Sequence, residues 1–316
     1  MLIRIEAQSH WVMIPEEQRV IRCVLRGKFK HDLRHKKDKL VLTDVAAVGD
    51  YVNFDMIDLN SGVIHSVDDR KNFISRKAPK QKGATTRGER YEQVIAANID
   101  YIFPVCSFGS PVFNNKVLDR FLVIAESSNI QPIIIFNKID LVEDPVEIEF
   151  WYNLYTSIGY KIHSVSAMTG EGIPELRELF YDHKSLFWGH SGVGKSSLIN
   201  ALFPELKLST GEVSSYNQKG KHTTVIVSMN QINRDTFLID TPGIREIAPF
   251  GIQKDDLAHY FPDLAVYLQS CKYKPCTHNH EPGCEVVAAV EREDIDPERY
   301  DSYLRLLENI EDDMFF

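Results

Sequence analysis

Apolar and polar positions along the 316-residue chain follow two different rhythms. Between residues 19 and 74, runs such as "VIRCVLRG", "KLVLTDVAAVGDYVNFDMI" and "GVIHSVD" are rich in β-branched and aromatic residues, are broken by Gly, Asp and Asn, and show no helical period. Runs of that kind predict short strands, and their succession predicts a small β-barrel. The polar stretch 76–90, "RKAPKQKGATTRGER", reads as a linker. Beyond it, strand-like and helix-like segments alternate. "YIFPVCS", "PIIIF", "KIHSVSA" and "KSLFWG" read as strands, and residues 117–127, 150–158 and 173–180 as helices. Continuous apolar strands separated by amphipathic helices predict a parallel sheet covered on both faces. There is no internal repeat, and low complexity is confined to the acidic tail after Glu291.

Composition limits the alternatives. With 43% apolar and 26% charged residues the chain reads as soluble and globular, with two or three domains. It has no signal pattern and no uncharged run near the ~18 residues of a spanning helix, so no membrane role and a cytoplasmic location are expected. The formal charge of −9 is unevenly spread: the first 95 residues are net basic and the remainder is strongly acidic. A basic front end suits contact with a phosphate backbone, although on charge alone "KFKHDLRHKKDK" reads as a solvated loop. Cys23 and Cys106 sit in apolar stretches and read as small buried hydrophobes, whereas Cys271, Cys276 and Cys284 crowd together with His278 and His280. In a reducing compartment that crowding suggests a metal before a disulfide.

The strongest chemical signal is "GHSGVGKSS" at 189–197, between a predicted strand and the helix-like "SSLINALF". Gly189, Gly194, Lys195 and Ser196 match G-x-x-x-x-G-K-[ST]. Glycines let backbone N–H groups turn toward a β-phosphate, Lys195 neutralises β- and γ-phosphate oxygens, and the Ser196 hydroxyl is placed to ligate Mg²⁺ at the positive end of the helix. The intervening His190, Ser191, Gly192 and Val193, and Ser197 beyond, complete the expected phosphate contacts. Downstream, "TFLIDTPG" ends a strand in Asp240, which reaches a Mg²⁺ shell through water, and in Gly243, whose N–H can sense a γ-phosphate. Between these loops, "KGKHTTV" offers Thr223 or Thr224 as a further Mg²⁺ ligand and reads as a switch.

A third motif precedes both. "NKID" at 137–140 follows the buried strand "PIIIF". Asp140 there can accept two hydrogen bonds from guanine that adenine cannot offer, while Asn137 and Lys138 frame the pocket. "SVSAM" supplies Ser166 and Ala167 as the loop expected to contact guanine O6. The pieces of a GTP-binding domain are thus present in rotated order, with the base-reading loops ahead of the phosphate loop. Rotation costs little, because domain termini lie at the surface and often close together.

With these motifs in place, the chain resembles the circularly permuted GTPases of bacterial small-ribosomal-subunit biogenesis, the ribosome-small-subunit-dependent GTPase A group. The resemblance rests on "CVLRGKF", "AVGDYV", "VIAANID", "NKID", "GHSGVGKSSLIN", "KGKHTTV", "DTPG" and "CKYKPCTHNHEPGCEVVAAV". It implies an N-terminal OB-type RNA-binding β-barrel (1–82, with the start of the linker), an α/β circularly permuted P-loop GTPase domain (83–250) and a small, mainly α-helical zinc-binding domain (251–316). His190 stands where that group usually has Pro, and Thr-Thr-Val replaces the commoner three threonines at 223–225. The first twenty residues resemble the group's opening strand least.

Cys271-x4-Cys276-x-His278-x5-Cys284 supplies three thiolates and an imidazole, enough to close one structural zinc site. His280 is the rival imidazole; spacing and resemblance favour His278. After Gly243, where many GTPases carry a Gln that orients water, this chain has Ile244, so unaided hydrolysis is expected to be slow. The resemblance puts His222 in that role, beside Lys195, against the plainer reading of a loop histidine that contacts solvent or RNA. The motifs point to GTP hydrolysis, and the resemblance implies a monomer that meets the 30S subunit and its 16S rRNA as a checkpoint and release factor. Two rivals are a GTP-gated RNA-binding module with little catalytic role and a nucleotide kinase; the kinase would need an acceptor site that the motifs do not supply.

Overall fold

The computed structural model describes residues 1–6, 8–27, 36–37, 40–42, 45–77, 90–206, 227–240 and 251–310. Strands begin earlier than the hydrophobic pattern suggests: β1 (Leu2–Glu6) and β2 (Ser9–Ile14) precede β3 (Arg19–Leu25). The short β4 (Lys36–Lys37) and β5 (Leu40–Leu42) follow, then the antiparallel pair β6 (Val52–Asp58) and β7 (Ser61–Val67). β8 (Phe73–Lys77) pairs antiparallel with β9 (Arg90–Ala97), so both ends of the expected 76–90 linker belong to strands; its residues 78–89 lie outside the described ones.

The alternating region then runs β10 (Tyr101–Ser107), α1 (Asn115–Ser127), β11 (Gln131–Asn137), α2 (Pro145–Ile158), β12 (Lys161–Val165), α3 (Ile173–Glu178), β13 (Lys184–Trp188) and α4 (Lys195–Leu202). It ends in the hairpin β14 (Ser228–Gln231) and β15 (Phe237–Asp240). Local chemistry starts and stops these helices. The Asp144 side chain accepts the Val146 N–H, Pro145 supplies a first helical residue that needs no amide partner, and Gly159 at φ +108° closes α2. Asn114 caps α1 in the same way, accepting from the Val117 N–H.

Among the described residues, eleven strands form one sheet in the order β12-β11-β10-β13-β15-β14-β1-β2-β3-β7-β6. The first five are mutually parallel. β14 turns back against β15, and β1 pairs antiparallel with β14 through Arg4 and Ser228. The front-end strands therefore continue the sheet of the body, while β4-β5-β9-β8 form a second sheet. Alternation along β11 buries both faces of the parallel portion. Ile133 and Ile135 pack with Leu176 and Leu198 of α3 and α4; Ile134 and Phe136 pack with Leu118, Leu122 and Tyr155 of α1 and α2.

The C-terminal stretch is helical: α5 (Pro262–Ala265), α6 (Glu285–Glu291) and α7 (Pro297–Asn309). It is fastened to the body by a buried ion cluster. Arg299 of α7 meets both oxygens of Asp263 at 2.8 and 3.0 Å and also Asp119 of α1, which accepts the Tyr155 hydroxyl at 2.7 Å. Burial opposes the charge on Arg299, but attraction to the two carboxylates outweighs it, so the guanidinium stays protonated. No helix among the described residues is long and apolar enough to cross a membrane.

Candidate nucleotide site and metal centre

Because β10, β11, β12, β13 and β15 run parallel, their carboxyl ends meet along one edge of the sheet, where open α/β sheets place their ligands. Ser107, Asn137 and Val165 lie on one rung across β10, β11 and β12. The loops carrying "NKID" and "SVSAM" and the glycine loop after β13 leave from this edge.

Asn137 ties the three together. Its side chain is fully buried; its Nδ2 donates to the Val193 carbonyl in the glycine loop at 2.9 Å, and its Oδ1 accepts the Ala167 N–H at 3.3 Å. Lys138, in the left-handed region at φ +64°, donates through Nζ to the Gly192 carbonyl at 2.7 Å and to the Ser110 carbonyl at 2.5 Å. Asp140 is exposed, and its Oδ1 accepts the hydroxyl of fully buried Ser166 at 2.5 Å. The same hydroxyl oxygen accepts the N–H groups of Met168 and Thr169 at 3.2 and 3.1 Å, so the carboxylate is held by a side chain that is itself fixed.

In the glycine loop, Gly189 is buried, and a Cβ there would come within 2.5 Å of the Val105 carbonyl oxygen. Gly194 caps α4 at φ +91°, and a Cβ there would meet Asn137 Nδ2 at 2.5 Å. Val193 is buried among Phe103, Val105 and Leu198, which anchors the loop in the core. Ser191, Gly192 and Ser197 are exposed, and His190 and Ser196 are half-buried. Lys195 Nζ donates to the Gly189 and His190 carbonyls at 2.6 and 2.7 Å. Asp240 closes β15 opposite Ser228, which brings the strand end that carries it to the same edge. His222, Thr223, Thr224, Gly243 and Ile244 lie outside the described residues.

The loop between β10 and α1 is a participant that sequence reasoning passed over. Its contribution is the Ser110 carbonyl and the ring of Pro111, whose Cδ lies 3.4 Å from a Cβ placed on Gly192. A backbone acceptor leaves no residue-type signal. The nearest available clue is a small polar residue, Ser107, at a strand end in register with Asn137.

Away from the sheet edge, Cys271, Cys276, His278 and Cys284 are all buried, with their ligand atoms within 4.8 Å of one another. His278 Nδ1 lies 3.5 and 3.4 Å from the sulfurs of Cys271 and Cys284. His278, not His280, is the imidazole of the group. His278 takes φ +55°, the tight conformation that lets two ligands separated by one residue face the same point. Glu281 braces this loop, accepting the amide and hydroxyl of Thr277 and the amides of Asn279 and His280. Burial would raise the Glu281 carboxyl, but the Thr277 and Asn279 hydrogen bonds outweigh it and hold it at about 2.

The donor set fits one zinc ion: three thiols and an imidazole close a tetrahedron without an open position. Burial pushes the Cys276 thiol up to about 12, a direction that a divalent cation reverses by binding the thiolate. Burial pushes the His278 imidazole down, toward the neutral form that ligates metal.

Comparison with known proteins gives one consistent result. A family model described as RsgA GTPase matches residues 67–249. A small ribosomal subunit biogenesis GTPase RsgA of Bacteroides fragilis is 37% identical over 311 residues, spanning 98% of this chain and 96% of that protein. One from Chlorobaculum parvum is 42% identical over 274 residues, spanning 85% of this chain and 87% of that protein. Among solved structures, YjeQ of Thermotoga maritima superposes with a TM-score of 0.74 at 30% identity, covering 98% of this chain and 96% of that one. YloQ, described as a circularly permuted GTPase, superposes with a TM-score of 0.71 at 28% identity, covering 98% and 93%.

Proposed function

Given that the chain belongs to the RsgA GTPase family and is a GTPase, we propose that it is a checkpoint and release factor in late maturation of the 30S ribosomal subunit, with turnover stimulated by 30S binding. The observation that carries the nucleotide half of this reading is Asn137, whose one side chain joins the "NKID", "SVSAM" and glycine loops. The ribosomal half is supported by relatives named for small-subunit biogenesis.

In this reading Asp140, aimed by Ser166, takes the guanine N1–H and amino group, Asn137 and Lys138 frame the base, and the 166–167 loop reads O6. The glycine loop from Gly189 to Ser197 holds the phosphates, with Lys195 offsetting the charge that grows on the transferred group. Ser196 and one of Thr223 and Thr224 would hold Mg²⁺, with Asp240 reaching its shell through water, and the ion would supply positive charge to offset that of the phosphates. Gly243 senses the γ-phosphate. His222 orients the attacking water, a task the side chain of Ile244 has no polar group to perform.

The front strands serve as an OB-type barrel that, with the C-terminal zinc domain, grips 16S rRNA, and the protein works as a monomer. Sheet continuity supports a mechanical link. β14 and β15 connect the two switch segments, and β14 is hydrogen-bonded to β1 of the front end, while the second switch leads directly into the C-terminal stretch.

GTP turnover measured with and without purified 30S subunits tests the proposal: stimulation is expected, and its absence sinks the checkpoint reading. In the same assay His222→Ala should lower 30S-stimulated kcat by about 10²-fold with nearly unchanged GTP affinity, because the interaction forms only on the way to the transition state. If 30S association falls in proportion to turnover, His222 is an RNA contact and its catalytic assignment is wrong.

A further inference from the structure

Resting on the reading of "NKID" as the guanine site, we propose that the loop after β10 is a positioning element for that site and that Ser107 sets its shape. Ser107 is the last residue of β10, on one rung with Asn137, and only 2% exposed. Its Oγ donates to the Pro111 carbonyl at 2.9 Å, which closes residues 107–111 into a tight turn. The turn touches both halves of the nucleotide site. Gly109, at φ +100°, packs so that an added Cβ would stand 3.1 Å from Leu141 Cβ, next to Asp140. Pro111 packs against Gly192 of the phosphate loop.

Between these contacts the Ser110 carbonyl accepts Lys138 Nζ, and the Gly192 carbonyl accepts it from the other side. The ammonium of Lys138 is thereby held between two backbone oxygens, one from the turn and one from the phosphate loop. A lysine stem fixed in this way has lost its rotamer freedom before any nucleotide arrives, so less ordering is charged to binding. Without the Ser107 hydroxyl the Pro111 carbonyl loses its partner, the turn relaxes, and the Ser110 oxygen no longer holds station. Ser107 would therefore act through Lys138 on affinity for the nucleoside part of the ligand, with no role in the chemical step.

The consequence is a specific kinetic signature. Ser107→Ala should raise the Kd for GTP and GDP alike by roughly 3- to 10-fold, the loss of about one hydrogen bond. KM should rise in step, while kcat at saturating GTP and 30S stays unchanged. Gly109→Ala, which strains the same turn without touching the hydroxyl, should move Kd in the same direction, and thermal melting of each variant reports whether the fold is intact.

A double-mutant cycle decides the matter. Lys138→Met keeps the stem but removes the ammonium, and Ser107→Ala should add little to its loss of affinity. Additive losses, or a folded Ser107→Ala protein that binds GTP as the parent does, overturn the proposal and leave the base-site reading standing. A Lys138→Met protein with parental affinity likewise overturns the proposal, whereas the base-site reading falls only if Asp140→Asn leaves nucleotide selectivity unchanged.

Discussion

Under the proposed reading, Asp140 is an exposed carboxylate whose specificity comes from how it is held. Two donors on guanine need two acceptor lone pairs in a set direction, and the direction comes from Ser166, which is buried, donates to Oδ1 and is itself fixed by two backbone N–H groups. If the carboxylate reads the base, Asp140→Asn should weaken GTP binding by about tenfold or more, since an amide presents a donor where an acceptor is required. Xanthine nucleotides, whose 2-oxo group accepts from that amide, should gain. Competition binding with GTP and XTP checks this, and unchanged selectivity would show that Asp140 does not face the base. Gly194 makes a related point, since its lack of a Cβ is required by the close approach of Asn137 Nδ2 as well as by its positive φ.

Elements were legible to the extent that their signals are local. Asp144-Pro145 and Asp296-Pro297 start α2 and α7 by the same device, an aspartate that caps and a proline that needs no amide partner. The first was passed over by the apolar period, which placed the start of α2 at 150 because the opening turn is solvent-facing and carries little periodicity. Pro104 lies inside β10, a central strand, where a missing N–H is normally costly; it sits at the final rung of the ladder with β13, beside Trp188.

What fastens the C-terminal helices to α1 is a cluster of two carboxylates and one guanidinium. Removing the cation leaves buried Asp119 and partly buried Asp263 without a counter-charge. Arg299→Met is therefore expected to cost about 3–5 kcal/mol in urea unfolding, the range for breaking one side of a buried ion pair. A loss below about 1 kcal/mol, the range of exposed pairs, would show that the cluster is not a clamp.

At the scale of the molecule, the three cysteines of the metal cluster belong to the same apolar core as Leu257, Phe261, Val286 and Tyr303, and Val123 of α1 joins it from the body. Tyr300 and Tyr303 donate their hydroxyls to the His278 and Thr277 carbonyls, so the cluster loop and α7 are ordered together. If the cluster holds zinc, as its donor set allows, stripping the metal should cost this unit its helicity and lower the melting temperature, because a structural zinc site contributes folding energy outright. Nucleotide affinity should change little, since the cluster shares no residue with the sheet edge. Metal content, circular dichroism and GTP titration before and after chelation make the comparison; full zinc loss with an unchanged melting curve would contradict a structural role.

The sequence by itself determined the alternation of strand and helix, the glycine loop, the rotated order of its motifs and the Cys-Cys-His-Cys spacing, because each segment or motif is written within a few residues and their order is read directly along the chain. Tertiary structure decided which distant groups meet. The β1–β14 pair joins Arg4 to Ser228, the Arg299–Asp119 contact spans 180 residues, and the Lys138 cradle depends on a carbonyl that any residue at position 110 would provide. Periodicity and spacing report what a segment can do with its neighbours in sequence. Strand pairing across the sheet, burial of a charge against another helix and acceptance by a backbone oxygen exist only once the chain has closed on itself.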